Sequence, residues 1–344
     1  MNLRKGLEKL ELKILSPFAA MSLNSKGRLR NEKPHPFLTC FQVDRDRIIH
    51  SEAFRKLKHK TQVFLSPLED YFRTRLTHTL AVSQISRTIG KVLALNEDLI
   101  EAIALGHDLG HTPFGHIGEK ALNRIAKHGF AHYKQSVRII NNLEGKNGLN
   151  LTFEVQDGIL KHSKGSSDLP LIIGKLDKNN TLEGAVVRIS DSIAYINHDI
   201  DDAIVSGLIK PDDIPKKARL ILGNSYRKRL EIMINDIIMN SLDKDYIAWS
   251  SKIRAGVNIL KDFLFKKVYP RPEIQNEMDK ANKVLEEIFY YFKENPKKFK
   301  KLYKQFHKEF SIDENLCDYI SSLSDDEIIA MYEKIFIPEK WIRL

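Results

Sequence analysis

Three of the chain's twelve histidines lie within ten positions, in the segment GHDLGHTPFGHIGE that covers residues 106–119. Its His107-Asp108 pair offers one imidazole and one carboxylate, and both groups bind divalent metals. Two more residues can extend the pair, because His78 and Asp191 fall on the inward faces of predicted helices upstream and downstream. Two imidazoles and two carboxylates make a ligand set that leaves coordination positions open for water and substrate.

Each of these four residues also has an ordinary structural explanation. His78 can be a core histidine with a satisfied hydrogen bond, and Asp108 can cap a helix. Asp191 is harder to explain in this way, since a carboxylate on an apolar stripe costs free energy unless it is paired, hydrogen-bonded or metal-bound. Because the set is spread over three predicted helices, a shared metal accounts for it better than four independent structural roles.

The elements that must position these residues are predicted to be helices. Apolar residues recur at intervals of three and four along the chain and sustained strand alternation is nearly absent, so the sequence predicts an all-α protein. We expect a short helix and a polar loop in residues 1–35. Further helices are predicted over about 44–65 and 73–95, and from about residue 97 to the His107-Asp108 pair.

The second half of the chain contains one predicted loop and a further helix that carries polar residues on one face. The loop covers residues 165–184, whose centre is rich in amide side chains. In the helix after it, Asp191, Tyr195 and Asp199 recur at intervals of four and therefore share a face. Beyond about residue 207 we expect long helices rich in lysine and isoleucine, with a break at YPRP.

Composition limits the class of protein without fixing its chemistry. Hydrophobic residues make up 42% and charged residues 29% of the 344 positions, which is typical of a globular protein. The net charge of +10 suits an anionic partner such as a nucleotide or a nucleic acid. Cys40 and Cys317 are the only cysteines, too few for a disulfide framework, so a reducing cytoplasm is the expected location. No apolar run is long enough to span a membrane.

The ordered set of a histidine, an HD pair and an aspartate, with its surroundings, resembles the HD-domain phosphohydrolases, and specifically the deoxynucleoside triphosphate (dNTP) triphosphohydrolases of the dGTPase type. The matching segments are DRDRIIHSEAFRKLKHKTQVF (44–64), RTRLTHTLAVSQISRTIG (73–90), NEDLIEAIALGHDLGHTPFGHIGE (96–119), HYKQSVRII (132–140) and RISDSIAYINHDIDDAI (188–204). The resemblance implies an HD-domain helical fold with an additional C-terminal helical lobe. Its expected parts are an N-terminal helix and loop (1–35), the HD core (36–206) and the lobe (207–344).

The resemblance implies hydrolysis of a dNTP to deoxynucleoside and inorganic triphosphate, with one divalent metal (Mn, Mg, Fe, Co, Ni or Zn) per site. His111 and His116 are then free to meet phosphate oxygens and to supply a proton to the leaving 5′-oxygen. Glu119, one helical turn after His116, can orient that imidazole. His132 matches a family position near the scissile bond and is the second candidate for proton transfer. The residues leave open which histidine is the acid.

The resemblance also carries substrate-binding roles to four further positions. Arg75 and Tyr195 match residues that contact the phosphates, and Gln62 and Asp199 match residues that bind the sugar 3′-hydroxyl. The chain departs from the pattern at Ser192, where some members carry a phosphate-binding lysine.

Relatives of this type suggest a homo-oligomer, hexameric or smaller, with a dNTP or DNA as a possible effector. Two other readings of the sequence stay open. One keeps the HD metal site but assigns another nucleotide, such as a nucleoside monophosphate or a guanosine alarmone. The other is a nucleic-acid-binding protein with a vestigial HD site, whose basic C-terminal helices contact phosphates.

Overall fold

A computed structural model describes residues 3–62, 72–163, 169–176 and 180–338, and within these ranges nearly all of the regular secondary structure is helical. The helices of the first part are α1 (Leu3–Ile14), α2 (Cys40–Ile49), α3 (Glu52–Lys56), α4 (Arg75–Val92), α5 (Glu97–Gly106), α6 (Gly115–Ile125), α7 (His132–Arg138), α8 (Phe153–Lys161) and α9 (Leu182–Val205). The helices of the second part are α10 (Lys216–Leu222), α11 (Tyr226–Ser241), α12 (Ser251–Phe263), α13 (Pro272–Glu294), α14 (Pro296–Leu302), α15 (Ile312–Ser322) and α16 (Asp325–Phe336). The predicted all-α class is confirmed.

Helices α4, α5 and α9 pack against one another and form the frame of the molecule. Each begins at a residue that the sequence makes a good N-cap. The side chains of Thr74, Asn96 and Thr181 accept hydrogen bonds from backbone N–H groups in the first turns of their helices. Their apolar faces then meet in a core that contains residues with no exposed surface, such as Ile89 and Ile193.

The buried apolar residues form two clusters. The first surrounds α4, α5, α8 and α9 and extends through α10 to α12 as far as Ile274. The second joins α6 to the C-terminal helices, with Phe114 and Leu122 on one side and residues such as Leu285 and Phe299 on the other. Each cluster therefore contains apolar residues from both the first part and the second part of the chain.

The predicted helix over residues 44–65 was wrong in its extent. Helix α2 begins earlier, at Cys40, and ends at Ile49, after which Ser51 caps the separate short helix α3 by accepting from the backbone N–H of Phe54 at 3.1 Å. The chain continues from α3 into a 3₁₀ turn over Leu57–His59. Residues 63–65 of the prediction lie outside the described residues.

The predicted loop over residues 165–184 was wrong in its centre. Residues Ile172–Lys175 form strand β1, which pairs antiparallel with β2 (Tyr246–Ala248). Only Ile173 of β1 is buried, so a four-residue strand offers too little alternation to be recognised. The ranges 164–168 and 177–179 of this segment lie outside the described residues.

The break predicted at YPRP is present, because Pro272 occupies the first turn of α13. None of the helices in the described ranges combines the length and the apolar character that crossing a bilayer requires. The division of the chain at residues 35 and 206 stays a prediction.

Candidate active site

The four predicted metal ligands lie together at the meeting point of the frame helices. His78 projects from α4, the His107-Asp108 pair follows the end of α5, and Asp191 projects from α9. Ligand atoms of His78, His107 and Asp108 all lie within 4.8 Å of one another. His78 Nε2 also lies 3.2 Å from Asp191 Oδ1, so Asp191 contacts this group at the imidazole of His78.

The donor set fits a divalent cation. Nδ1 of His107 lies 2.6 Å from the Ala104 carbonyl oxygen and must donate to it, since a carbonyl only accepts. The lone pair on His107 Nε2 is then free, and this buried atom has no hydrogen-bond partner among the described residues. An orphaned imidazole nitrogen 3.5 Å from a carboxylate oxygen of Asp108 is the arrangement that a bound metal would satisfy.

Both carboxylates of the group are held in the ionised form. Burial alone would raise the pKa of Asp108, but His107 and Arg75 beside it bring the pKa well below its usual range. Burial likewise opposes ionisation of Asp191, and the hydrogen bond with His78 together with the nearby His107 outweighs it and lowers the pKa. The group can therefore present two negative charges to a cation near neutral pH.

The predicted catalytic residues form a second group next to the first. The imidazoles of His111 and His132 stack with centroids 4.5 Å apart, and His111 is fully buried with neither ring nitrogen bonded within the described ranges. Glu119 lies 2.8 Å from His132 Nδ1 and 3.3 Å from His116 Nδ1. The histidine-carboxylate contact predicted from the spacing of His116 and Glu119 is present, and a shorter one with His132 accompanies it.

His116 differs from the other histidines of this group in its exposure. Its side chain is 62% exposed, whereas those of His111 and His132 are buried. Burial, followed by the positive charge of Arg75, lowers the pKa of His111 well below its usual range. His111 is therefore a neutral ring near pH 7, and an exposed His116 can exchange protons with solvent.

Two buried histidines of the site escaped the sequence analysis. His162, at the end of α8, lies 3.0 Å from His132 through their Nε2 atoms, and His198 on α9 lies 3.4 Å from His78 through their Nδ1 atoms. Helical spacing could have found both. His162 continues the buried face of α8 three positions after Ile159, and His198 follows Asp191 by two helical turns.

The predicted substrate residue Arg75 is engaged within the site. Its Nη1 donates to Asp108 Oδ2 at 2.7 Å, and its Nη2 donates to the backbone carbonyl of Gln62 at 3.4 Å. The Gln62 side chain is buried, and its Oε1 has no partner in the described part of the chain. The loop around Gly115 permits this close packing, because a Cβ added there would lie 2.8 Å from both Arg75 Nη2 and the Gln62 carbonyl oxygen.

Tyr195 and Asp199 lie one and two turns beyond Asp191 on α9, as predicted. Burial raises the pKa of both groups, and that of Asp199 reaches about 7. The hydroxyl of Tyr269, which the sequence analysis missed, donates to Asp199 Oδ2, whereas Asp199 Oδ1 is buried without a partner in the described residues. An unpartnered oxygen of this kind can accept a hydrogen bond from a ligand hydroxyl.

Known proteins are similar to this chain over nearly its whole length. Residues 75–196 match the HD domain family model, and residues 247–334 match the model of a phosphohydrolase-associated domain. The chain is similar to the deoxyguanosinetriphosphate triphosphohydrolase-like protein of Caldanaerobacter subterraneus subsp. tengcongensis, with 50% identity over 99% of this chain and 98% of that protein. The chain is also similar to a protein of the same name from Desulfatibacillum aliphaticivorans, with 47% identity over 98% of this chain and 99% of that protein. A third protein of this name, from Clostridium tetani, is 44% identical over 98% of this chain and 97% of that protein.

Proposed function

This chain belongs to the family of deoxyguanosinetriphosphate triphosphohydrolase-like HD phosphohydrolases, and we propose that it hydrolyses dNTPs to deoxynucleoside and inorganic triphosphate. The observation that carries the proposal is the orphaned Nε2 of His107 beside ionised Asp108, with the second histidine group directly adjacent. A buried metal-ligand set next to proton-transfer residues is what hydrolysis of a phosphoester at neutral pH requires.

The proposed metal centre consists of His78, His107, Asp108 and Asp191. A divalent cation there would lower the pKa of a bound water and polarise a phosphoryl oxygen. The described contacts already orient two of these ligands, since Ala104 fixes the tautomer of His107 and Arg75 holds Asp108. Outer contacts of this kind keep ligand atoms directed at the ion.

The histidine group would act on the other side of the scissile bond. When water attacks the α-phosphorus, the bond from phosphorus to the 5′-oxygen breaks, and that oxygen must take a proton because an alkoxide is a poor leaving group. His132 and His116 both contact the carboxylate of Glu119, which orients their rings. We propose that one of them supplies the proton and that neutral His111 contacts a phosphate oxygen.

The substrate-binding roles extend along α9. We propose that Asp199 Oδ1 and the Gln62 side chain bind the sugar 3′-hydroxyl, since both oxygens are buried and unpartnered within the described residues. Tyr195 would contact the phosphates. Arg75 already bridges to Asp108, so we propose that it serves the α-phosphate end of the substrate, next to the metal, while keeping that contact.

The assay separates this function from the other readings of the sequence. Each dNTP and GTP is incubated with the protein in Mn²⁺ or Mg²⁺, and the products are resolved by chromatography. Release of deoxynucleoside and triphosphate supports the proposal. Release of monophosphate or pyrophosphate overturns it, and DNA binding with steep salt dependence but no turnover favours the nucleic-acid-binding protein.

Two variants test the assigned roles. Asp191→Ala should abolish turnover and reduce bound metal, whereas His116→Ala should keep the metal and lose rate, by about 10²-fold to 10⁴-fold if it is the general acid. Exposed His128, outside the cluster, gives a matched control as His128→Ala, which should leave both quantities unchanged. Full activity of Asp191→Ala would contradict the metal site.

We also propose that the protein assembles as a homo-oligomer. Helix α1 buries Glu8 and directs an apolar stripe outward, in which Leu3, Leu7, Leu10 and Ile14 are exposed at intervals of four and three. An exposed apolar stripe of this kind is typical of a contact surface between proteins. Light scattering of the purified protein measures the mass, and a monomer would contradict the assembly.

A further inference from the structure

His162 lies between the metal-ligand group and the proton-transfer group. Its imidazole is buried, with the ring centroid 4.9 Å from that of His107 and 5.1 Å from that of His132. Its two nitrogens have different partners. Nδ1 lies 2.6 Å from the Ile159 carbonyl oxygen, and Nε2 lies 3.0 Å from His132 Nε2.

The partner of Nδ1 fixes the tautomer of His162. The Ile159 carbonyl can only accept, so Nδ1 of His162 must carry a proton. The ring is buried and neither of its hydrogen-bonding partners is a carboxylate, so it is neutral and holds that one proton. Nε2 of His162 is therefore a lone-pair acceptor that faces His132.

The donor and acceptor roles at His132 can be assigned in the same way. Its Nδ1 lies 2.8 Å from Glu119 Oε1, which also accepts from the His132 backbone N–H at 2.9 Å. Burial would favour protonation of Glu119, but its hydrogen bonds with His116 and His132 lower its pKa, so it is an ionised acceptor. Nδ1 of His132 consequently donates to Glu119, and Nε2 of His132 donates to His162.

Other groups that face His132 leave its nitrogens to these two acceptors. His111 stacks on one face of the ring, His116 meets it edge-on with centroids 6.2 Å apart, and Tyr133 does so at 5.6 Å. Asp108 has a carboxylate oxygen within 4.8 Å of a His132 nitrogen, but this carboxylate accepts its hydrogen bond from Arg75. Among the residues that the structure describes, Glu119 and His162 are thus the hydrogen-bonding partners of the imidazole.

We propose that His162 is a positioning residue for His132, whose Nε2–H it accepts, so that the ring is held between Glu119 and His162 as a donor at both ends. The catalytic consequence rests on the proposed function: with both of its N–H groups held in this way, His132 fixes Glu119 beside His116, and His116 supplies the proton to the leaving oxygen. Two hydrogen bonds on opposite sides of a ring fix its rotation about the Cβ–Cγ bond. Without the His162 acceptor, the ring keeps only the contact with Glu119.

Two substitutions of His162 separate the acceptor from the bulk of the side chain. In His162→Gln, the longer amide side chain can place an oxygen near the position of the imidazole Nε2 and keep the acceptor. In His162→Asn, the shorter amide reaches only the region of Nδ1, so it can donate to Ile159 but cannot reach His132. A purely structural role, in which His162 only donates to Ile159, would be served better by Asn than by Gln, so the two roles predict opposite orders of activity.

The kinetic experiment compares wild type, His162→Gln and His162→Asn after their metal content has been equalised. We expect His162→Asn to lower kcat by about 10-fold to 100-fold with little change in KM, which is the size of the loss when the outer partner of a metal-ligating histidine is removed. His162→Gln should recover most of that loss. Equal kcat in all three proteins would overturn the proposal, and so would an Asn variant whose loss of rate follows loss of metal.

A second measurement is independent of turnover. Nuclear magnetic resonance of protein labelled with ¹⁵N-histidine, in Mg²⁺ and without substrate, detects which ring nitrogens of His132 carry protons. Both should carry a proton in wild type and in His162→Gln, and the Nε2–H signal should shift or exchange faster in His162→Asn. A single protonated nitrogen in wild type would overturn the proposal even if the Asn variant fails to fold. If wild type yields no triphosphate, the proposed function fails while this measurement still tests the hydrogen bond.

Discussion

Asp325 is a single side chain through which the C-terminal helices hold the active-site loop. It begins α16 and is 5% exposed. Its Oδ2 accepts from the backbone N–H of Thr61 at 3.0 Å and from the Thr61 hydroxyl, and its Oδ1 accepts from the backbone N–H of Phe114 at 2.9 Å. Because Thr61 precedes Gln62 and Phe114 precedes Gly115, Asp325→Ala should disturb both sides of the substrate site.

The expected loss of stability follows from the donors that the substitution leaves without an acceptor. The Thr61 hydroxyl can rotate toward another acceptor, but the two backbone N–H groups cannot. A buried donor without a partner costs about 1–3 kcal/mol, so the free energy of unfolding should fall by about 2–6 kcal/mol. The neighbouring Asp326→Ala gives a matched control, because Asp326 is exposed in the same helical turn and its loss should cost only about 0.3–1 kcal/mol through the helix dipole.

Urea denaturation of the two variants near neutral pH measures the difference in free energy, and amide hydrogen exchange locates it. The N–H groups of Thr61 and Phe114 should exchange faster in Asp325→Ala and at the wild-type rate in Asp326→Ala. Equal stability of the two variants, or unchanged exchange at both amides, would refute the reasoning, because the hydrogen bonds would then carry no free energy.

Two further substitutions test pH dependence and packing in the site. Burial raises the pKa of Asp199 to about 7 from an ordinary value of 3.8, so the stability linked to its protonated form is complete below pH 3.8 and is lost as the pH rises through 7. Relative to Asp199→Asn, the wild-type free energy of unfolding should therefore fall by on the order of 4 kcal/mol across this window, and parallel pH curves for the two proteins would contradict the shift. Gly115→Ala should lower stability and activity more than Gly207→Ala, because both glycines have positive φ (58° and 72°) but only Gly115 has atoms where the Cβ would lie. Thermal unfolding and the triphosphate assay measure the two effects, and equal losses in both variants would rule out the contact with Arg75 as their cause.

The sequence predicted the frame helices well because their signals are local. Thr74, Asn96 and Thr181 are good N-caps, and the apolar stripes that follow them run without interruption. The predicted helix starting at about Glu97 begins there, and the one predicted from residue 73 begins at Arg75. Once the helices are in place, helical spacing directs His78 and Asp191 inward.

The errors occurred where a single residue or a distant partner decides the structure. Helix α2 ends at Ile49 and Ser51 caps the separate helix α3, so the continuous helix predicted over 44–65 divides at that point. Strand β1 is defined by pairing with Tyr246–Ala248, more than 70 positions away, and has no alternating pattern of its own. His162 could be placed on the buried face of α8 from spacing, but its contact with His132 depends on how α7 and α8 pack.

The sequence did not predict a role for the C-terminal third of the chain. One buried lysine, Lys60, shows how this third contacts the active-site loop. Nζ of Lys60 donates to the carbonyl oxygens of His111 and Ser321, each at 2.6 Å, and burial lowers the pKa of this lysine to about 7. A lysine is buried in this way only where acceptors are supplied on every side, and here one comes from the active-site loop and the other from α15. No sequence pattern around Lys60 predicts that its side chain is buried, because its second acceptor lies 261 positions away. The backbone that carries His111 is thus fixed by the C-terminal helices, so removal of those helices should take one of its two acceptors from Lys60 and disorganise the proposed catalytic loop.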